Sequence, residues 1–190
     1  MAESESESPS DTNPEVLNLN EVDQAFIKEI VKAGGENVFA CYQCGTCTAG
    51  CPAGWKTAFK IRTILRKSIL GLKKEVISDR AIWNCTTCYT CYDRCPRDVR
   101  PTEVIKTIRN LAVKGGYMLD SHKAVSHFAL KMGHAVPINE QFAEQREALG
   151  LARLPPNASS NKKAIKEFQK IAKRTGFKEL VDFEEEETPE

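Results

Sequence analysis

Eight cysteines fall into two runs of one pattern: Cys41, Cys44, Cys47 and Cys51 ahead of Pro52, and Cys85, Cys88, Cys91 and Cys95 ahead of Pro96. Each run reads C-x2-C-x2-C-x3-C-P, and the second repeats the first at an offset of 44 residues. Three thiolates this closely spaced on a tight loop can hold three irons of one cubane cluster, while the fourth points away along the following chain. Proline suits that place, because the first position of a helix has no use for its missing N–H. Structural zinc and disulfides are the alternatives. Zinc sites commonly take two C-x2-C pairs from separate segments, which this run matches poorly. Disulfides need an oxidising compartment, and no basic and apolar leader is expected ahead of Lys28, the first basic residue. Two [4Fe–4S] clusters would take all eight cysteines, leaving no thiol for nucleophilic work and no iron open to a substrate. The expected role is to conduct electrons, with bond-making left to another polypeptide and no catalytic residue in this chain.

Other chemistry is thinly represented. His122, His127 and His134 are the only histidines, and none of them forms an i, i+4 metal pair. No glycine-rich dinucleotide or phosphate loop is present, so neither flavin nor nucleotide binding is expected. Net charge is +1, but residues 1–27 and 179–190 each carry seven acids and no Lys or Arg. Between Lys28 and Lys178 lie all 27 bases against 12 acids, an excess of 15. Such an excess can mark a nucleic-acid binder. Here Lys56, Lys60, Arg94, Arg97 and Arg100 stand close in sequence to the cysteines, where they could offset anionic clusters or simply be solvated. Trp55, Trp83, Tyr89 and Tyr92 are expected to exclude water from the sites, without the basic and aromatic interleaving of RNA-binding modules. No nucleic-acid partner is expected. Charges interrupt every apolar run well short of the ~20 residues that span a bilayer, so no direct membrane insertion is expected either.

The elements that must position the cysteines read as helices. Residues 1–19 are an acidic tail too poor in apolar side chains to fold. Asn20 is a candidate N-cap for a helix carrying Phe26, Ile27, Ile30 and Val31 to Gly34 and Gly35. One helix is expected from Pro52 to Leu72, with Ile61, Ile64 and Leu65 on its inner face and Gly71 at its end. Another carries Val104, Ile105, Ile108, Leu111 and Ala112 to Gly115 and Gly116. Beyond it come three more: one capped by Ser121 with Val125, Phe128, Ala129 and Met132 inward, one from Phe142 to Leu149, and one from Asn161 to Lys173. Leu154 to Ser160, with two prolines, reads as a linker. No stretch alternates long enough for a strand, so the class is all-α. The expected organisation is a tail over 1–19, a two-cluster domain over 20–116, a helical extension over 117–178 and an acidic tail over 179–190.

The doubled spacing is that of bacterial-type two-cluster ferredoxins, which implies crossed ligation: Cys41, Cys44, Cys47 and Cys95 around one cluster, and Cys85, Cys88, Cys91 and Cys51 around the second. The helices after Pro52 and Pro96 would then run antiparallel between them. The 33 residues of helical pattern from Cys51 to Cys85 resemble the α-helical ferredoxin module of succinate dehydrogenase, fumarate reductase, glycolate oxidase and heterodisulfide reductase. No plant-type cysteine motif precedes Cys41 and no CCG motif follows Cys95. The stretches A-C-Y-Q-C-G-T-C-T-A-G-C-P at Ala40 to Pro52 and W-N-C-T-T-C-Y-T-C-Y-D-R-C-P at Trp83 to Pro96 resemble the C-type iron–sulfur subunits of the soluble heterodisulfide reductases of methanogenic archaea. That resemblance implies a cytoplasmic relay from a flavin-containing, A-type subunit to a catalytic, CCG-motif, B-type subunit, which reduces the coenzyme M–coenzyme B disulfide in methanogenesis. A hydrogenase or formate dehydrogenase module would stand further upstream. Two other readings are an electron-transfer subunit of a different, heterodisulfide-reductase-like or sulfur-metabolism complex, and a non-redox protein whose clusters are structural.

Overall fold

The computed structural model describes residues 22–136, 139–158 and 161–183. The expected tail over 1–19, the expected cap at Asn20 and residues 184–190 lie outside them. Phe26, Ile27 and Ile30 fall on one face of α1 (Phe26–Lys32) and are buried. Their burial, at roughly 1.5–3 kcal/mol per large aliphatic or aromatic side chain, is what holds so short a helix.

The single helix expected from Pro52 to Leu72 is two, α3 (Pro52–Lys56) and α4 (Ile61–Ile69). Thr57 leaves the helix in an extended conformation, its hydroxyl donating to the Ala53 carbonyl and accepting from the Phe59 amide. The break lets the fully buried Phe59 reach the core. The returning chain presses on Gly54, where a Cβ would come within 2.9 Å of the Phe59 carbonyl oxygen. Only glycine fits there. On α4, Ile61, Ile64 and Leu65 are buried as their spacing implies. Gly71, at φ +79, then turns the chain into α5 (Lys73–Ser78), a helix the sequence pattern did not announce. Lys73 ties α5 to α1 through Glu29 at 2.9 Å.

Pro96 does not open a helix. A turn and an irregular stretch with Asp98 and Arg100 at positive φ follow it, and the next long helix, α7 (Pro101–Lys114), takes Pro101 in its first turn. Thr102, Val104, Ile105, Thr107 and Ile108 of α7 are buried, and α7 packs on α1, α4 and α5. The resulting core holds Phe26, Ile30, Val38, Phe59, Ile61, Leu65, Val76, Ile82, Ile105 and Ile108. Two short helices in the cysteine loops, α2 (Thr46–Ala49) and α6 (Thr90–Asp93), lie against each other beside it.

A second, smaller core follows. In α8 (Asp120–Met132), Leu119 and not Ser121 occupies the capping position, and Gly133 closes the helix at φ +65. The inward residue is Leu130; Val125 and Phe128, expected to face inward, are 48% and 41% exposed. After α9 (Glu140–Ala148), Asn161 caps α10 (Lys162–Arg174) by accepting from the Lys163 and Ala164 amides. α10 packs on α8 and on α11 (Phe177–Leu180). Leu130, Ala172 and Val181 form this core, with Met118, Phe177 and Phe183 against it. Residues 179–183, the start of the segment that charge pattern assigns to the acidic tail, thus include a fully buried valine. The architecture is all-α, with no strand among the described residues.

Candidate metal centre

The two cysteine loops are built alike from the backbone up. Each begins at a 3-10 turn, Val38–Ala40 or Arg80–Asn84, delivering Cys41 or Cys85 in an extended conformation. Each then passes through two residues of positive φ, Gln43 and Gly45 in the first loop, Thr87 and Tyr89 in the second. These left-handed residues alternate with the cysteines and wrap the chain around one centre. Three of the four are not glycine, a cost of about 1–2 kcal/mol each that is typically met at ligand-holding loops. The third cysteine of each run, Cys47 or Cys91, lies buried on α2 or α6.

The loops enclose two hollows. Cys41, Cys44, Cys47 and Cys95 line the first, together with Leu65, Val99, Arg62 and Arg97. Cys51, Cys85, Cys88 and Cys91 line the second, with Phe59, Ile61 and Thr102. Three cysteines of one run thus meet the last cysteine of the other in each hollow. None of the eight is in a disulfide. Among the described residues, no three Cys, His, Asp or Glu side chains converge on a point that one ion could occupy. Four thiols spread around a hollow suit a polynuclear sulfide cluster, which needs a ligand at each corner, and not a tetrahedral zinc.

Hydrogen-bonding groups surround the sulfurs. The Gly54 amide donates to Cys51 Sγ and the Val99 amide to Cys95 Sγ, both at 3.3 Å. Thr46 and Thr90 hydroxyls stand 3.3 and 3.4 Å from Cys44 and Cys88 Sγ, and the Thr102 hydroxyl stands 3.2 Å from Cys91 Sγ. The Thr46 and Thr90 hydroxyls hold the exposed Cys44 and Cys88 thiols below their ordinary pKa. Burial acts the other way on Cys47, pushed up to about 11, and raises Cys91. A positive centre in each hollow would offset that penalty and draw off the protons.

The cations singled out by sequence proximity separate in space. Arg97 lines the first hollow. Lys60 donates instead to the Gly54 carbonyl, and Arg100 to Asp98 at 3.3 Å. Arg94 approaches Gly50. Lys56 closes α3 on its exposed side. Trp55, expected to pack over a site, is 72% exposed, its indole N–H donating to the Ala49 carbonyl at 2.9 Å. Tyr89 and Tyr92 meet edge to face. His122 packs on Trp83, and His127 donates to the Val181 carbonyl. The residue that sequence reasoning missed is Arg109 of α7. Its Nε donates to the Ile82 carbonyl at 2.9 Å and a terminal nitrogen donates to the Cys85 carbonyl at 2.7 Å.

Several known proteins are similar to this chain along most of its length. Residues 40–99 match the family described as 4Fe-4S dicluster domain. The C-type subunit of the H(2):CoB-CoM heterodisulfide,ferredoxin reductase of Methanothermobacter thermautotrophicus is 47% identical over 168 residues, covering 88% of this chain and 91% of the relative. The C2-type subunit of the H(2)/formate:CoB-CoM heterodisulfide,ferredoxin reductase of Methanococcus maripaludis is 46% identical over 177 residues, 89% of this chain and 96% of the relative. The C-type iron-sulfur subunit of the CoB--CoM heterodisulfide reductase of Methanopyrus kandleri is 46% identical over 179 residues, 93% and 91%.

Proposed function

The chain belongs to the family of C-type iron–sulfur subunits of heterodisulfide reductase, and on that premise we propose that it relays electrons through two [4Fe–4S] clusters to a catalytic partner. It is an iron–sulfur electron-transfer component of an oxidoreductase complex. In our reading Cys41, Cys44, Cys47 and Cys95 hold one cluster, and Cys85, Cys88, Cys91 and Cys51 hold the other. Electrons arrive from the flavin-containing subunit, fed by a hydrogenase or formate dehydrogenase module. They leave to the CCG-motif subunit, where the coenzyme M–coenzyme B disulfide is reduced. The relay operates in the cytoplasm; no helix among the described residues is long and apolar enough to cross a membrane. We assign the cluster domain to 20–116 and the helical extension to 117–178, which builds a small core of its own around Leu130 and Ala172.

The observation that carries this reading is the composition of the hollows, each lined by three cysteines of one run and the last of the other. The clusters supply one-electron transfer when bound. The chain's own residues hold the thiolates: amides at Gly54 and Val99 donate to Cys51 and Cys95, and the buried walls around Leu65, Phe59 and Ile61 limit water. The full chain, reconstituted anaerobically, is expected to take up about eight irons and eight sulfides and to show no turnover alone. Paramagnetic resonance of Cys51→Ser and Cys88→Ser is expected to change one signal, and of Cys44→Ser the other. A Cys51→Ser spectrum matching Cys44→Ser would mean sequential ligation. Co-purification with a reductase lacking the flavin-containing and CCG-motif subunits would favour a different complex.

A further inference from the structure

The two cysteine loops differ in where their cations stand. Arg109 lies half-buried on α7, with its guanidinium forked between the Ile82 and Cys85 carbonyls and stacked 5.5 Å over the Trp83 ring. Trp83 also meets His122 of α8, ring to ring at 4.9 Å. At the matching place of the first repeat, 44 residues earlier, stands Leu65, 1% exposed, and at the place of Trp83 stands Phe39, 62% exposed. The first hollow has its own cations, Arg62 and Arg97, but both are solvent-exposed and screened by water and salt. Arg109 is instead half-buried, its guanidinium held against two backbone carbonyls and the Trp83 ring. A fixed, poorly hydrated cation acts on a nearby redox centre more strongly than one at a wet rim.

We propose that Arg109 is a positioning residue that makes the second site unlike the first. It pins the Ile82–Cys85 backbone and keeps a positive charge behind Cys85, raising the reduction potential of the group that Cys85 helps to hold. This rests on the cluster reading above but not on crossed ligation, since Cys85 belongs to the same site in either scheme. Positive charge beside a cluster stabilises its reduced form, which carries one more electron. The direction of electron flow between the two sites would then be set in part by one residue of α7.

The test uses the reconstituted full chain in redox titrations followed by paramagnetic resonance, with the second site's signal assigned through Cys88→Ser. Arg109→Gln keeps a donor without the charge, and Arg109→Lys keeps the charge without the fork. In Arg109→Gln the reduced-to-oxidised ratio of the second site, poised at its wild-type midpoint, is expected to fall about tenfold, or ~59 mV for one electron. The first site's ratio is expected to stay within about twofold, and Arg109→Lys to fall less than Arg109→Gln. The proposal is overturned by an unmoved second site in Arg109→Gln, by equal shifts at both sites, or by Arg109→Lys falling as far as Arg109→Gln. Loss of iron from the second site in both variants would reduce Arg109 to a folding residue and overturn it as well. Failure of iron uptake by the unmodified chain would instead sink the cluster reading itself.

Discussion

Around α4 and α7, Phe26, Ile30, Phe59, Ile105 and Ile108 are sealed from solvent, whereas between α8 and α11 the sealed cluster is Leu130, Ala172 and Val181. Val125, Phe128, Phe142, Leu149 and Ile171 of that later region stay substantially exposed. The earlier region also carries the two cysteine loops, whose left-handed residues carry backbone strain that a group bound in the hollows would offset. One region therefore combines a large apolar core with loops that want a ligand, and the other relies on a small core, helix caps and surface pairs. The difference teaches that loading with metal should be felt by the first region and hardly by the second, although Trp83 and His122 join them.

The largest expected effect comes from stripping iron anaerobically with a chelator. Hydrogen exchange of α2, α6 and the start of α7 is expected to accelerate by more than about a thousandfold, while α8 and α10 change by less than about threefold. Equal loss of protection along the chain would merge the two regions into one cooperative unit. Next in size are core truncations in the loaded chain. Ile105→Ala is expected to cost about 4 kcal/mol, near the upper part of the usual range, because its fully packed surroundings cannot collapse. Leu130→Ala is expected to cost nearer ~2 kcal/mol, since partly exposed neighbours can settle into the space. Denaturant unfolding measures both, and a reversed order would break the comparison. The smallest effect belongs to Asp182, which accepts from Lys123 at 2.7 Å on the surface. Lys123 holds the Asp182 carboxyl below its ordinary pKa. The pair therefore contributes above the unfolded carboxylate pKa and is lost as pH falls through the lower folded value. Asp182→Asn is expected to leave the neutral melting temperature almost unchanged and to flatten slightly the acid limb of α8–α11 unfolding, followed by circular dichroism.

The sequence carried the cysteine spacing and the inward faces of α1, α4 and α7, because spacing of thiols and helical periodicity are local properties. It did not carry the break after Lys56, since Thr57 and Phe59 fit a helical pattern as well as they fit a turn. Only the close approach of the Phe59 carbonyl to Gly54 decides between the two. Pro96 stands where Pro52 does in the repeat, yet the helix waits for Pro101, because Asp98 and Arg100 take left-handed conformations through which a helix does not continue. The apolar pattern of α8 is weak and favours a face beside Leu130, and it is the packing of α10 that settles which side is covered. Arg109 is one of 27 basic residues, and nothing in its immediate neighbours marks it. A signal was nevertheless available: laid over the first repeat at the 44-residue offset, Arg109 falls on Leu65, a core position.

Cys44 and Cys88 are the two exposed thiols of the eight, they occupy matching places in the repeat, and a threonine hydroxyl favours the thiolate of each. Peroxide and air attack exposed thiolates first, through sulfenic acid and on to forms that thiol reagents cannot restore. Chain handled aerobically before loading would accordingly be damaged at one corner of each hollow and not at all corners of one. Spoiled preparations would then contain molecules lacking both clusters together, and peptide mapping would find the added oxygen at Cys44 and Cys88 while Cys47 and Cys91, buried behind them, stay intact.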